Sequence, residues 1–243
     1  MSSDSLPEKL QSDGYASFPA ALYRAHLQAK GVLDQLPQLL ESFSHLTPDK
    51  FMGDGGTYRN RAYSRFVYRW NSHSPTLEPL EGHSIFQTLE DNSLNGGVLR
   101  TYAPLAAEVN DSALLRELVL EDAKHAMSCD PSLRESAVQV GVHQVRIVAR
   151  SQSLGLPTPE GIHRDSERFT FQHFCQRTNI EGGEFRAYDQ QKRPLFSWLQ
   201  TESLDTVMFE GTTWHSATPV ACQDPSKEGY RDIFLIDFDR LSP

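Results

Sequence analysis

Val138-Gln139-Val140-Gly141-Val142-His143-Gln144-Val145-Arg146-Ile147-Val148-Ala149 is a proline-free run dominated by β-branched residues. Branching at Cβ suits a pleated, extended backbone better than a helix. From here towards the C-terminus the same character returns in short bursts: Phe169–Cys175, Glu184–Tyr188, Phe196–Leu199, Thr206–Phe209 and Asp232–Phe238. Turns rich in Gly, Pro and Asp separate them. Many short strands at close spacing predict a sandwich, a barrel or a jelly roll.

Upstream of that run the chain is mixed. Residues 1–18 are polar and Ser-rich, with a short strand expected at Tyr15–Phe18. Residues 20–44 read as helix, with Leu22, Leu27, Leu36, Leu39, Leu40 and Phe43 near helical spacing and Gly31 and Pro37 as interruptions. Residues 47–62 read as loop, Tyr63–Arg69 as a short strand, and a polar, Pro-containing stretch runs to about residue 83. Asp111-Ser112 ahead of Leu114, Leu115, Leu118 and Val119 marks the start of a helix. The expected class is α+β, mainly β. A β core over 140–240 carries a helical extension over 1–50, and one domain spans 1–243.

Composition narrows the function. Lysine and arginine number 23 against 32 aspartates and glutamates, a net charge of −9. Phosphate backbones call for concentrated positive charge, so nucleic acid is not an expected partner. The basic stretch Arg59, Arg61, Arg65, Arg69 is read as a solvated or partly substrate-facing segment. Cys129, Cys175 and Cys222 are odd in number and far apart, which argues against a disulfide framework and for a reducing cytoplasm. The first twenty residues lack the apolar core of a secretion signal, and no apolar run is long enough to span a membrane. An acidic protein of this size is compatible with a homodimer.

One metal-binding pattern stands out. Two ligands are easily placed at i and i+2 of an extended segment, where side chains leave the same face. Of the nine histidines, only His163, in Gly161-Ile162-His163-Arg164-Asp165, is followed two residues later by Asp, Glu or His. The reversed triplet Glu81-Gly82-His83 lies in a polar stretch and reads as loop. His163 sits just before a predicted strand, and His215 follows the apolar run Val207-Met208-Phe209. Two His and one carboxylate on one face of an ion, with the other positions open, is the ligand set of non-haem iron(II) oxygenases. Sixteen residues beyond His215, Arg231 opens the last strong strand. Its guanidinium suits a carboxylate, through two parallel hydrogen bonds.

The order His-x-Asp … His … Arg is that of 2-oxoglutarate-dependent dioxygenases, and the detailed text goes further. Pro159-Glu160-Gly161-Ile162-His163-Arg164-Asp165, Asn179-Ile180-Glu181-Gly182-Gly183-Glu184, Leu204-Asp205-Thr206, Trp214-His215-Ser216-Ala217-Thr218-Pro219 and Gly229-Tyr230-Arg231-Asp232 resemble the bacterial free-amino-acid dioxygenase family typified by L-isoleucine dioxygenase. Arg61-Ala62-Tyr63-Ser64-Arg65-Phe66 and Asn95-Gly96-Gly97-Val98-Leu99-Arg100 extend the resemblance over roughly residues 55–238. It implies a double-stranded β-helix (jelly-roll) core, iron(II) and 2-oxoglutarate as cofactors, and O2 as co-reactant. The implied reaction is hydroxylation of a free L-amino acid, aliphatic ones first, with release of succinate and carbon dioxide. In this reading His163, Asp165 and His215 hold the metal and Arg231 the cosubstrate. Ser166 departs from the glycine usual in relatives, and Phe209-Glu210-Gly211 replaces a more acidic segment.

A free amino acid needs a cation for its carboxylate, an acceptor for its ammonium and an apolar wall. The sequence offers Arg65 or Arg146, Glu160, and Tyr63, Phe169 or Trp214 in those roles. His143, His173 and the helix neighbours Glu121, Asp122 and His125 are read as packed or structural residues. Competing readings are the same cofactor chemistry on another small metabolite or a peptide residue, and a non-catalytic jelly roll that senses 2-oxoglutarate or a metal.

Overall fold

The computed structural model of the chain describes residues 5–89, 92 and 94–241. Fourteen strands run in chain order as β1 (Tyr15–Phe18), β2 (Arg59–Arg69), β3 (Thr76–Leu80), β4 (Ser84–Ile85), β5 (Arg100–Thr101), β6 (Val138–Ala149), β7 (Phe169–Thr178), β8 (Ile180–Gly182), β9 (Phe185–Tyr188), β10 (Pro194–Trp198), β11 (Thr206–Glu210), β12 (Trp214–Ala217), β13 (Val220–Cys222) and β14 (Gly229–Arg240). Seven of them form a major sheet in the order β1-β11-β7-β14-β6-β2-β3, every neighbouring pair antiparallel. A smaller sheet, β10-β9-β12, and a two-stranded ladder, β13-β8, lie over one of its faces. The contacts of Phe185 and Ala187 with Val207 and Phe209 join the small sheet to the large one, and Ile180 and Val220 join the ladder to Val145, Ile147 and Ile233. This is the jelly-roll core.

Alternation along the strands separates two environments. On β14, Phe234, Ile236 and Phe238 point to one side, into the main core, with Val138, Val140 and Val142 of β6 and Phe169 and Phe171 of β7. That side is covered by α1 (Leu6–Asp13), α2 (Ala20–Ala29), α3 (Leu36–Glu41) and α5 (Ala113–Cys129), while the short α4 is Ala107–Asn110. Helix α5 buries Leu114, Leu115, Leu118, Val119, Ala123, Ala126 and Met127, one apolar stripe at helical spacing. Ser112 caps it by accepting from the Leu115 amide at 3.0 Å. On the other side of β14, Arg231, Ile233, Leu235 and Asp237 face the space between the sheets.

Several boundaries differ from expectation for physical reasons. The helix expected over 20–44 is broken: Gly31 takes φ +70° just past α2, and Pro37 sits in the first turn of α3, where its missing N–H costs nothing. Strand β2 starts at Arg59 inside the expected loop, because its polar residues face the intersheet space rather than bulk water. Strand β3 was hidden by Pro79, which an edge strand tolerates. The major sheet therefore reaches back beyond 140–240, and β1 pairs with β11 from within the N-terminal segment.

Candidate metal centre

His163 and His215 face each other in an antiparallel bridge. The His163 amide donates to the His215 carbonyl at 3.1 Å, and the return bond is 3.0 Å. Cross-strand neighbours present adjacent side chains, and the two imidazole centroids are 4.3 Å apart. Asp165, two residues on, turns its carboxylate to the same place. Its Oδ1 is 3.6 Å from His163 Nε2 and its Oδ2 3.7 Å from His215 Nε2. One ligand atom from each of the three residues lies within 4.8 Å of the others, and a single ion can touch all three.

Backbone carbonyls fix both rings. His163 Nδ1 lies 3.1 Å from the Gly161 carbonyl, and His215 Nδ1 3.1 Å from the Thr213 carbonyl. A carbonyl only accepts, so each Nδ1 carries a proton and each Nε2 is turned to the shared space, where His163 must give up its second proton before it can ligate an ion. Gly211 makes room for the segment: a Cβ there would lie 2.1 Å from the Glu167 carbonyl and 3.0 Å from that of Asp165. Ser166 needs no glycine, since the non-glycine residues with positive φ among those described are Asn179, Lys192 and Leu204.

The electrostatics favour a cation. Burial opposes charge on His163, but the hydrogen bond and field of Asp165, with Glu160 behind it, push it up to about 9. His215 moves down to about 4, through burial and the positive charge of His163. Asp165 is held below the usual carboxylate range: burial resists, and His215 and His163 prevail. Glu160 adds a further oxygen 3.4 Å from His163 Nε2, and its Oε2 is buried without a partner among the described residues.

Arg231 lines the same cleft, 1% exposed. Its Nη2 donates to Gln200 Oε1 at 3.2 Å, while Nε and Nη1 are buried with no partner among the described residues. Burial and the neighbouring Arg177 lower its pKa to about 10, so it stays charged at neutral pH. A guanidinium left in this state is costly unless an acidic ligand completes it. Two imidazoles, one carboxylate and a nearby orphaned guanidinium are the donor set for iron(II) with a keto diacid, and the residues present fit both groups.

Four sequence-expected substrate residues lie elsewhere. Arg146 is on the helix-facing side of β6, where Nε and Nη2 grip Asp232 at 2.8 and 2.7 Å. Arg65 is at the far end of β2, bonded to the Glu81 and Gly82 carbonyls and to Gln139. Phe169 is buried in the core beneath the helices. Trp214 turns away from the face that His215 presents and lies under Arg164 and Lys192, each 4.1 Å from its ring centroid. For Arg146, Phe169 and Trp214 one step along a strand reverses the side chain, whereas Arg65 shares the face of Arg61 and Tyr63 but lies too far along β2 to reach the cleft. Glu160 does line the cleft, and Tyr63 stacks on His143 with centroids 4.3 Å apart.

Arg61, from the segment expected to be partly substrate-facing, gathers around Asp165 with three residues given no site role in the sequence, Arg100, Glu167 and Asp237. Burial first, then the charge of Asp165, raises Asp237 to about 7. Burial, then Asp237 and Asp165, raises Glu167 to about 8. The spacing of Arg231 and Asp237 on one strand was the available signal, because it places both on one face.

Comparisons with known proteins agree with this geometry. A model of the 2OG-Fe dioxygenase family matches residues 40–237. L-isoleucine-4-hydroxylase of Bacillus thuringiensis is 25% identical over 98% of this chain and 97% of its own length. 3(1)-hydroxy-L-isoleucine 4-dioxygenase of Pantoea ananatis is 24% identical over 95% of this chain and 94% of its own. Among solved structures, a bsmA homolog from Methylobium petroleophilum has a TM-score of 0.85 at 24% identity, covering 97% of this chain and 92% of that one, so the fold is shared.

Proposed function

The chain belongs to the 2OG-Fe dioxygenase family, and from that membership we propose that it hydroxylates a free L-amino acid with an aliphatic side chain. As a family member it is an oxidoreductase that uses iron(II) and 2-oxoglutarate. When bound, these supply the oxidising power that puts one atom of O2 into a C–H bond, with succinate and carbon dioxide as coproducts.

The protein's own task is ligation, orientation and exclusion of water. His163, Asp165 and His215 would hold the ion, with the Gly161 and Thr213 carbonyls keeping both Nε2 atoms turned inward. Arg231, steadied by Gln200, would bind the distal carboxylate of the cosubstrate. Phe209 packs on His215 at 4.3 Å between ring centroids and Phe185 at 6.0 Å, a dry wall behind that ligand. The observation that carries the reading is a buried guanidinium with two unpartnered nitrogens in the cleft lined by His163, Asp165 and His215.

The substrate class rests on two supports. Both curated relatives carry isoleucine in their names and align over nearly the whole chain. Ile233 and Leu235 give the cleft an apolar strip suited to an aliphatic side chain. A cytoplasmic setting is part of the proposal, supported by the free thiols of Cys129, Cys175 and Cys222. No helix among the described residues is long and apolar enough to cross a membrane.

The test is 2-oxoglutarate consumption against the twenty amino acids, with mass spectrometry for a product one oxygen heavier. Aliphatic L-amino acids should stimulate succinate release, and His163→Ala and Asp165→Ala should abolish it. Stimulation by peptides alone would overturn the substrate class. Cosubstrate binding without succinate from any compound would turn the reading to a sensor. Near-wild-type turnover in either variant would remove the ligand assignment.

A further inference from the structure

A second compartment adjoins the cosubstrate cleft at Asp165. It shares Arg61, Arg100 and Leu235 with the cleft and adds Glu167, Thr170 and Asp237. The metal and cosubstrate roles above use none of its charged residues apart from Asp165.

Its charges are laid out as a pair of poles about His143. Arg61 Nη2 donates to His143 Nδ1 at 2.5 Å. A guanidinium only donates, so the ring proton is on Nε2 and is given to Asp237 Oδ2 at 2.9 Å. The Gly141 amide donates to Asp237 Oδ1 at 3.2 Å, and a Cβ at Gly141 would lie 2.4 and 2.6 Å from the two Asp237 oxygens. The carboxylate therefore rests on the bare backbone of β6, and only glycine leaves it that seat.

The cationic pole is equally built. Arg100 is 3% exposed and donates Nη2 to Gln87. Arg61 lies over the Tyr102 ring at 4.7 Å. Yet Arg61 Nε, Arg100 Nε and the buried Thr170 hydroxyl have no partner among the described residues. Polar groups buried without partners await a ligand that supplies them. A group bearing a carboxylate and an ammonium on one carbon meets cations on one side and acids on the other. Leu235 and Ile85 provide apolar surface beside it.

We propose that Arg61 and Arg100 bind the α-carboxylate of the substrate, and that Asp237 with Glu167 binds its α-ammonium. This rests on the amino-acid reading above and assigns the specificity residues within it. The zwitterionic head would be seated beside Asp165, with the side chain left to reach towards the metal.

The experiment titrates three probes into anaerobic enzyme loaded with iron(II) and 2-oxoglutarate. They are L-isoleucine, its 2-hydroxy analogue without the ammonium, and L-isoleucinamide without the carboxylate. Wild-type protein should bind L-isoleucine about 10- to 100-fold more tightly than either analogue, the worth of a charged hydrogen bond. Asp237→Asn should weaken L-isoleucine by a similar factor and leave the hydroxy acid nearly unchanged. Glu167→Gln should move in the same direction by less. Arg100→Met should weaken L-isoleucine and leave the amide nearly unchanged. A merely structural role would weaken all three probes together, and that result would overturn the assignment. So would retention of wild-type discrimination by the variants. Wild-type protein that binds and oxidises none of the twenty amino acids would instead sink the amino-acid reading, and this assignment with it.

Discussion

Arg231 shows how one buried side chain links cofactor choice to strand register. It lies near the start of β14, donates to Gln200, and has two nitrogens without a partner among the described residues. Arg231→Met should raise the KM for 2-oxoglutarate by about 100-fold, the loss of a charge-assisted bidentate pair. Arg231→Lys should recover only part, because an ammonium is a point charge without the planar fork. An unchanged KM in the methionine variant would mean that the guanidinium does not face the cosubstrate. That His163, Asp165, His215 and Arg231 meet at one cleft was legible in the sequence, since an i, i+2 pair and one distant His are local statements. Arg146, Phe169 and Trp214 lie away from the cleft because which side of a strand faces the cavity is decided by its neighbours, and Arg65 because it sits at the far end of β2. Once Arg231 is known to point inward, alternation sends Asp237 inward and Asp232 outward to Arg146.

Between helices and sheet, a buried polar chain ties four elements together. Tyr23 of α2 donates to Asp122 of α5 at 2.5 Å, and Asp122 Oδ2 lies 2.7 Å from Nε2 of His173 on β7. Thr206 of β11 lies 2.8 Å from the other ring nitrogen. Asp122→Ala strands two buried partners and should cost about 3 kcal/mol or more of stability. Its urea midpoint should fall while the KM for 2-oxoglutarate stays put, since the network is across the sheet from the cleft; a matching loss in both would contradict that separation. One turn along α5, His125 packs on Phe18 with centroids 4.8 Å apart. Burial lowers its pKa, although Asp122 and Glu121 pull the other way. The folded state thus resists a proton that the unfolded chain accepts below about pH 6.5, so this group costs stability as pH falls. The gap in Tm between wild type and His125→Phe should shift against wild type from pH 7 to pH 5, and a constant gap would show that His125 titrates normally. The sequence indicated α5 through its stripe and cap, but not this network, because His173 and Asp122 meet only when helix and sheet are assembled.

Across the whole molecule, the proposed metal site spans two separate parts of the fold. His163 and Asp165 lie on the long connection between β6 and β7, while His215 belongs to the small sheet. The connection meets that sheet through the His163–His215 bridge, and the β13-β8 ladder through the Gly155–Val220 bridge. An ion bound by all three side chains would fasten the connection to the small sheet in the folded state alone. Anything that binds only the native state stabilises it by mass action, about 2.7 kcal/mol at a hundredfold excess over Kd. For a chain of this length that corresponds to a rise in Tm of roughly 5–10 °C. Removing the metal with a chelator should lower Tm by that amount, and Asp165→Ala should show almost no response to metal or chelator. 2-Oxoglutarate should add a further increment when metal is present and a smaller one when it is absent, because Arg231 would then hold the diacid by one end only. Scanning calorimetry of the four combinations measures the coupling directly. Equal Tm with and without metal in the wild-type chain would mean that His163, Asp165 and His215 do not close on an ion together.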